Sequence, residues 1–257
     1  RFVMTVIDSS AQVSLNEFTR AIVRTGAGII HVIYAKGTDN HLYHKSSSDN
    51  GVTWSSATEL SSLAEMIGLS QHYGACIAVD SNGNLHVVWG GYSSAYIVGQ
   101  YSVGQIWYTK YTGSWTTPIR LSTLAGMSTS GSGSPSIVID SSNNLHVCFC
   151  CANWPTANNI GSAYYTKYTA SWSTPAAIYT PDDTRYPVEL ALEIDHSENL
   201  HVVYNIVNIG DLTYQKYTGT WSSPIDISNA DSSVQFPSIA VDSDDNLYVV
   251  WIHNTSV

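Results

Sequence analysis

"CIAVDSNGNLHVVW" (residues 76–89) decides the fold. The run up to Asp80 alternates with period two, the pattern of a short strand with one buried face. Asp-Ser-x-x-Asn then supplies turn formers whose side chains bond their own backbone. The run from Asn84 to Trp89 returns as a second strand. The same pattern recurs as "SIVIDSSNNLHVCF" (136–149), "ALEIDHSENLHVVY" (191–204) and "SIAVDSDDNLYVVW" (238–251), with a looser copy, "AIVRTGAGIIHVIY" (21–34). His31, His86, His146, His201 and Tyr248 hold one position in it, at a period of about 50 residues.

A second hairpin follows the first in each unit. "IWYTKYTGSWTTPIRL" (106–121), "AYYTKYTASWSTPAAI" (163–178) and "LTYQKYTGTWSSPIDI" (212–227) align without gaps, and "HLYHKSSSDNGVTWSSATEL" (41–60) stands at the same place in the first unit. Each unit is thus four short antiparallel strands, and no helical period competes. Such repeats predict an all-β fold, a β-propeller of four-stranded antiparallel blades. The units run over 18–61, 73–122, 133–180, 186–228 and 235–257 of a single domain, 1–257. Residues 1–17 are expected to close the last blade, giving five. Six or seven blades are the alternative if the chain is a fragment.

Apolar residues make up 44% of the 257, enough for a sizeable core, and charged residues only 12%. That balance is common in secreted, cell-surface or virion-surface proteins. A net charge of −10 argues against nucleic acid, because no basic patch is present to release counterions. No run has the length of a membrane-spanning helix, so no membrane insertion is expected. The chain opens at Arg1 without a signal-peptide pattern and reads as a processed chain or a fragment. Cys76, Cys148, Cys150 and Cys151 match no zinc spacing. They read as buried thiols, with a disulfide involving Cys76 as the alternative that geometry must decide. No metal and no cofactor is implied.

In a propeller the links between second and third strands and those between blades lie on one face. Here those links are long and aromatic, as in 90–105, 150–163 and 180–190, whereas the hairpins of the other face are short. A site is expected on the long-loop face. "EFTRAI", "HYGACI", "GSPSIV", "RYPVEL" and "QFPSIA" align at the start of the innermost strands. They place Glu17, His72, Gly133, Arg185 and Gln235 around the channel mouth. Phe18, Tyr73, Tyr186 and Phe236 stand beside them, and Trp154 lies in a long loop. Acid, amide, imidazole and guanidinium groups rimmed by rings suit a sugar. The His series reads as hydrogen bonds between blades. Lys45, Lys110, Lys167 and Lys216 read as a solvated stripe, and Asp80, Asp140, Asp195 and Asp242 as turn caps.

The stretch "KSSSDNGVTWSS" (45–56) matches S-x-D-x-G-x-T-W through Ser47, Asp49, Gly51, Thr53 and Trp54. Ser and Asp satisfy turn N–H groups, Gly takes the positive φ, and Trp folds back on the blade. The later turns are shorter and keep only the Trp. This stretch resembles the Asp-box (BNR repeat) of sialidase-like propellers, and the blade pattern is similar over 18–257. The resemblance implies a glycan or polysaccharide partner. Enzymes of that family use an arginine triad, a Tyr/Glu nucleophile pair and an Asp acid/base, with the first arginine in an Arg-Ile-Pro motif. Here that place reads "FTRAIV", and the arginines are Arg1, Arg20, Arg24, Arg120 and Arg185. Sialidase catalysis is therefore not expected. The main expectation is an extracellular or virion-surface lectin or adhesion propeller. The first alternative is a glycoside hydrolase or polysaccharide lyase using Glu17, Asp39, Asp182, Asp183, Glu189, His72, Tyr73 and Arg185. The second is a structural, protein-binding propeller in a larger surface assembly.

Overall fold

The computed structural model describes residues 7, 13–14, 20–36, 41–63, 66–68, 74–98, 101–124, 127, 131–152, 161–181, 185–207, 209–228 and 234–253. They form five sheets, one per repeat. The first holds β1 (Val13–Ser14), β2 (Ile22–Arg24), β3 (Ile30–Lys36), β4 (Leu42–Ser47) and β5 (Thr58–Glu59). The second holds β6 (Met66–Gly68), β7 (Ala75–Val79), β8 (Leu85–Val98), β9 (Tyr101–Tyr111) and β10 (Ile119–Arg120). The third is β11 (Gly131–Ile139), β12 (Leu145–Ala152), β13 (Ser162–Tyr168) and β14 (Ala176–Tyr179). The fourth is β15 (Tyr186–Ile194), β16 (Leu200–Val207), β17 (Asp211–Tyr217) and β18 (Ile225–Asp226). The fifth shows β19 (Val234–Val241) and β20 (Leu247–His253). Spatial order follows chain order and every ladder is antiparallel, so the chain is a β-propeller of four-stranded blades. In the first two sheets the innermost strand is split: β1 and β2 share β3, and β6 and β7 share β8.

The inner hairpins of the second to fifth sheets are closed by an aspartate, and that of the first by Thr25, whose Oγ1 accepts Ile29 N–H (3.2 Å). Asp80 Oδ1 accepts the N–H groups of Asn82 (3.0 Å) and Asn84 (2.8 Å), and Oδ2 accepts the Asn84 side-chain amide (2.8 Å). Asp140 and Asp195 hold Asn144 and Asn199 the same way. The residue before each Asn has positive φ: Gly83, Asn143, Glu198 and Asp245. Where it carries a side chain, it reaches the preceding sheet. Asn143 Oδ1 accepts Ser81 N–H, Glu198 accepts Ser141 N–H, and Asp245 Oδ1 accepts His196 N–H.

Behind the turns of the second, third and fourth sheets stands a buried three-residue chain. His86 lies between Asp80 (Nε2···Oδ2, 3.4 Å) and Tyr108 (Nδ1···Oη, 2.9 Å). His146 joins Asp140 and Tyr165, and His201 joins Asp195 and Tyr214. Every one of these bonds lies inside one blade, not between blades as the sequence pattern suggested. The lysine stripe also does more than meet solvent: Lys167 and Lys216 reach Asp140 (3.7 Å) and Asp195 (3.8 Å).

Each interface between sheets is a separate apolar cluster. Ile33 and Leu42 meet Ile77, Val87 and Trp89; Val88 and Ile106 meet Ile137, Val147 and Phe149; Cys148 and Cys150 meet Leu192, Val202 and Tyr204; Val203 and Leu212 meet Ile239. The turn tryptophans wedge between blades, edge-on to a ring of the preceding sheet: Trp115 to His44, Trp172 to Tyr108, Trp221 to Tyr165. In the longer first turn, Ser47 Oγ donates to Asp49 and accepts Gly51 N–H (2.8 Å). The Asp49 carboxylate accepts Thr53 N–H (2.8 Å) and Thr53 Oγ1–H (2.6 Å). Hydrogen bonds from the Thr53 side chain and backbone, and from Ser47, hold its carboxyl near 2. All four cysteines are buried and free, and burial raises the thiols of Cys148, Cys150 and Cys151.

Two expectations about chain path need correcting. Of the 1–17 segment expected to close the last blade, Val13 and Ser14 pair with Lys36 and Ala35 in the first sheet, and Lys45 Nζ donates to the Ile7 carbonyl (2.6 Å). The 90–105 stretch is not a loop but a hairpin. β8 and β9 continue past the blade with pairing out to Val98–Tyr101. Gly91 fits closely at its base, where a Cβ would stand 3.3 Å from Trp89 Cδ1 and the indole would have to give by a few tenths of an ångström.

Candidate functional site at the channel mouth

The innermost strands begin on the long-loop face, and three of them, β11, β15 and β19, are kinked where they do so. Register slips at Gly133/Ser136, Val188/Ala191 and Gln235/Ser238. The bulged residues Ser134 (φ 49), Glu189 (φ 53) and Phe236 (φ 50) lie in the left-handed region, and Gly74 (φ 36) precedes β7 at the same place. A bulge of this kind re-aims a side chain and often lies beside a functional site. One row of the channel mouth is therefore Gly74, Ser134, Glu189 and Phe236, each six residues before its turn aspartate.

That row is cross-linked. Glu189 N–H donates to Ser134 Oγ (3.2 Å), and Phe236 N–H donates to Glu189 Oε2 (2.8 Å). The bulged side chain of one blade accepts the bulged N–H of the next. Asn205 Nδ2 also donates to Glu189 Oε2 (3.4 Å), while buried Asn205 Oδ1 has no hydrogen-bond partner among the described residues. Such an orphaned acceptor is worth a lost hydrogen bond unless something outside the chain meets it.

The expected ring is only partly assembled. Gln235 and Phe236 stand at the mouth, Phe236 exposed. Arg185 and Tyr186 do not share their row. They precede Glu189 by four and three residues; Tyr186 pairs with Val207, and Arg185 sits where its charge opposes the raised pKa of Asp211, which burial and Asp226 push up. Glu17, His72, Tyr73 and Trp154, with Phe18, Asp39, Asp182 and Asp183, lie outside the described residues. Glu189, Ser134 and Asn205 form the mouth instead. Glu189 was among the acid candidates of the hydrolase alternative; counting back six residues from each turn aspartate would have placed it in this row and added Ser134, and nothing in the sequence marks Asn205.

Toward the short hairpins the channel holds a cavity of about 310 Å³ lined by Arg20, Arg24, Glu193 and apolar side chains of the first four innermost strands. Arg20 Nη2 bonds Glu193 Oε2 (3.0 Å) across it, linking the first and fourth blades. Arg24 donates to Gly28 O and Asn50 Oδ1, and Arg120 to Gln105 Oε1 while stacking on Tyr96. These arginines are thus engaged separately, and no triad forms among the described residues. A double-mutant cycle of Arg20→Ala and Glu193→Ala is expected to give about 1 kcal/mol of coupling in urea unfolding, reduced by added salt. Zero coupling would deny the strut.

No family model and no curated protein matches the sequence. Solved structures do. A Penicillium chrysogenum α-L-arabinanase complexed with arabinobiose superposes with TM-score 0.65 at 12% identity, with 89% of this chain and 73% of its own covered. A Hadza microbial sialidase gives TM-score 0.58 at 13% identity, with 84% of this chain and 47% of its own covered. An ulvan lyase of a polysaccharide lyase family gives TM-score 0.62 at 12% identity, with 91% and 61% covered. At such identities the likeness shows the propeller fold.

Proposed function

We propose that this propeller acts on a polysaccharide, as a glycoside hydrolase or a polysaccharide lyase, from its long-loop face. The observation that carries the reading is the carboxylate of Glu189, held at the channel mouth by a strained bulge beside an unmet buried acceptor. Its setting in a fold shared with an arabinanase, a sialidase and an ulvan lyase supports the same reading. Glu189 would serve as a general acid or base toward a glycosidic oxygen or a sugar C–H. The sialidase mechanism is not part of the proposal, because the described arginines have separate partners. We also infer an Asp-box propeller of the sialidase-like kind working outside the cell.

A second reading is a lectin without turnover. It is favoured by the two hydrogen bonds that already occupy Glu189 Oε2. Incubation with arabinan, ulvan and a panel of other neutral and acidic polysaccharides separates the two. New reducing ends without unsaturation indicate a hydrolase, and ultraviolet-absorbing unsaturated ends a lyase. Glycan-array binding without turnover would leave the lectin. Neither binding nor turnover would overturn both and favour a protein partner.

A further inference from the structure

The first blade departs from the repeat in its interior. Thr25 stands six residues before His31, where the second, third and fourth sheets have Asp80, Asp140 and Asp195 before their histidines. His44 pairs with Ile33 in the register that Tyr108, Tyr165 and Tyr214 hold elsewhere. The two histidines therefore meet each other. His31 Nδ1 and His44 Nε2 lie 3.0 Å apart, and the buried rings stack at 5.2 Å between centroids. One proton lies between them. An added proton puts an unbalanced charge in the interior, and another breaks the bond. Around the pair stand Val23 of β2, Ile33 of β3, Ser46 of β4 and Thr58 of β5. Tyr111 and Trp115 face it from the second sheet, and Tyr111 is the one titratable group among these neighbours. Among the described residues no carboxylate meets either ring. His86, His146 and His201 are buried as well, but each has an aspartate oxygen 3.4, 3.2 and 3.0 Å away to balance an added proton.

The seam beside this pair is also thinly latched. Asn143, Glu198 and Asp245 tie each later hairpin to the sheet before it, but Gly83 has no side chain to reach the first sheet. That seam rests on a backbone bond from Ile77 N–H to Arg20 O (3.0 Å), on apolar packing and on the contact of Trp115 with His44. We propose that the first blade is an acid-released element, in which protonation of the His31–His44 pair frees β3 and β4 from the second blade while the third and fourth blades stay closed. Burial lowers both imidazoles from 6.5, and with the charge of His31 it brings His44 to about 4. A base with a folded value below its unfolded one takes up its proton on opening. Closure of the first blade therefore weakens as pH falls below 6.5, and the effect levels off near 4. Burial lowers His86 and His146 too, but Asp80 and Asp140 pull them the other way.

The test is amide hydrogen exchange of the full chain at about pH 7.5 and about pH 5, corrected for the intrinsic rates. Protection in β3 and β4 is expected to fall at least about tenfold on acidification, and in β12 and β16 by less than about threefold. His44→Tyr gives His31 the partner that Tyr108 gives His86, and gives Trp115 the ring that Tyr108 gives Trp172. It should remove most of the fall in the first blade. Thr25→Asp leaves His44 in place and supplies His31 with the carboxylate that Asp80 supplies to His86. It should reduce the fall, and it decides the question if His44→Tyr folds poorly. An equal loss of protection in all these strands overturns the proposal. So does a first-blade loss that neither substitution changes, since the histidine pair would then not be what acid acts on.

Discussion

Asp195→Ala is expected to lower the unfolding free energy by about 3 kcal/mol, read from urea or thermal melts followed by circular dichroism. The side chain is buried, and it accepts Asn199 N–H (2.7 Å), the Asn199 amide (2.8 Å) and a bond from His201 Nε2 (3.0 Å). Truncation opens the turn that joins β15 to β16. It also strands one end of the His201–Tyr214 chain in the interior, where neither group finds water. Asp242→Ala offers a control inside the same molecule. Its turn is built alike, but it is only half-buried, on the fifth sheet, and meets Tyr248 Oη–H rather than a buried histidine. That substitution should move the midpoint far less. Equal effects at both positions would show that the buried histidine chain contributes nothing beyond the turn.

The same aspartate sets an acid limit. Burial pushes its carboxyl up, yet hydrogen bonds from the Asn199 side chain, His201 and the Asn199 backbone prevail and bring it from 3.8 to about 2. A folded-state value below the unfolded one gives stability that is fully present above about pH 4 and is lost as pH falls toward 2. The interval corresponds to about 2 kcal/mol. Asp80 and Asp140 are lowered by the matching bonds against the same burial, so they add to the loss. In Asp195→Ala the acid limb of the stability profile should be shallower by one group. An unchanged limb would mean that Asp195 is not depressed in the folded protein.

The hairpin repeat was legible because its determinants are local. An Asp four residues before an Asn closes a turn through its own backbone, and period-two runs on either side declare the strands. The third-strand Lys and the turn Trp were legible for the same reason. What escaped were relations between blades. "RYPVEL" and "QFPSIA" look alike because each sets an aromatic before a proline, and that likeness set Arg185 and Tyr186 in the row of Gln235 and Phe236. Register is counted from the turn aspartates, Asp195 and Asp242, which put Glu189 beside Phe236 instead. The histidine partners were misplaced between blades because a tyrosine on the third strand is close only once β12 and β13, or β16 and β17, have paired. Asn205 sits in a strand pattern that reads as ordinary core, and its link to Glu189 crosses 16 residues of chain.

Glu189→Gln separates the two things this side chain can do. As a latch it needs only an oxygen facing Phe236 N–H, 2.8 Å away in the next blade. Glutamine keeps that acceptor and nearly the same volume, so the melting midpoint should hardly move. As an acid or base it needs a proton that glutamine cannot exchange near neutral pH. On a polysaccharide that the native chain cleaves, kcat should then fall by about 100-fold or more with binding retained. Glu189→Ala should lose both, because the Phe236 amide is left without its acceptor and the blade contact loosens. If Glu189→Gln retains full turnover while Glu189→Ala melts early, the carboxylate is a latch, and the catalytic acid must be sought elsewhere on the long-loop face. If turnover falls and stability does not, the bulge at φ 53 has aimed a carboxylate into the channel for chemistry, and the inter-blade bond is how the fold holds it there.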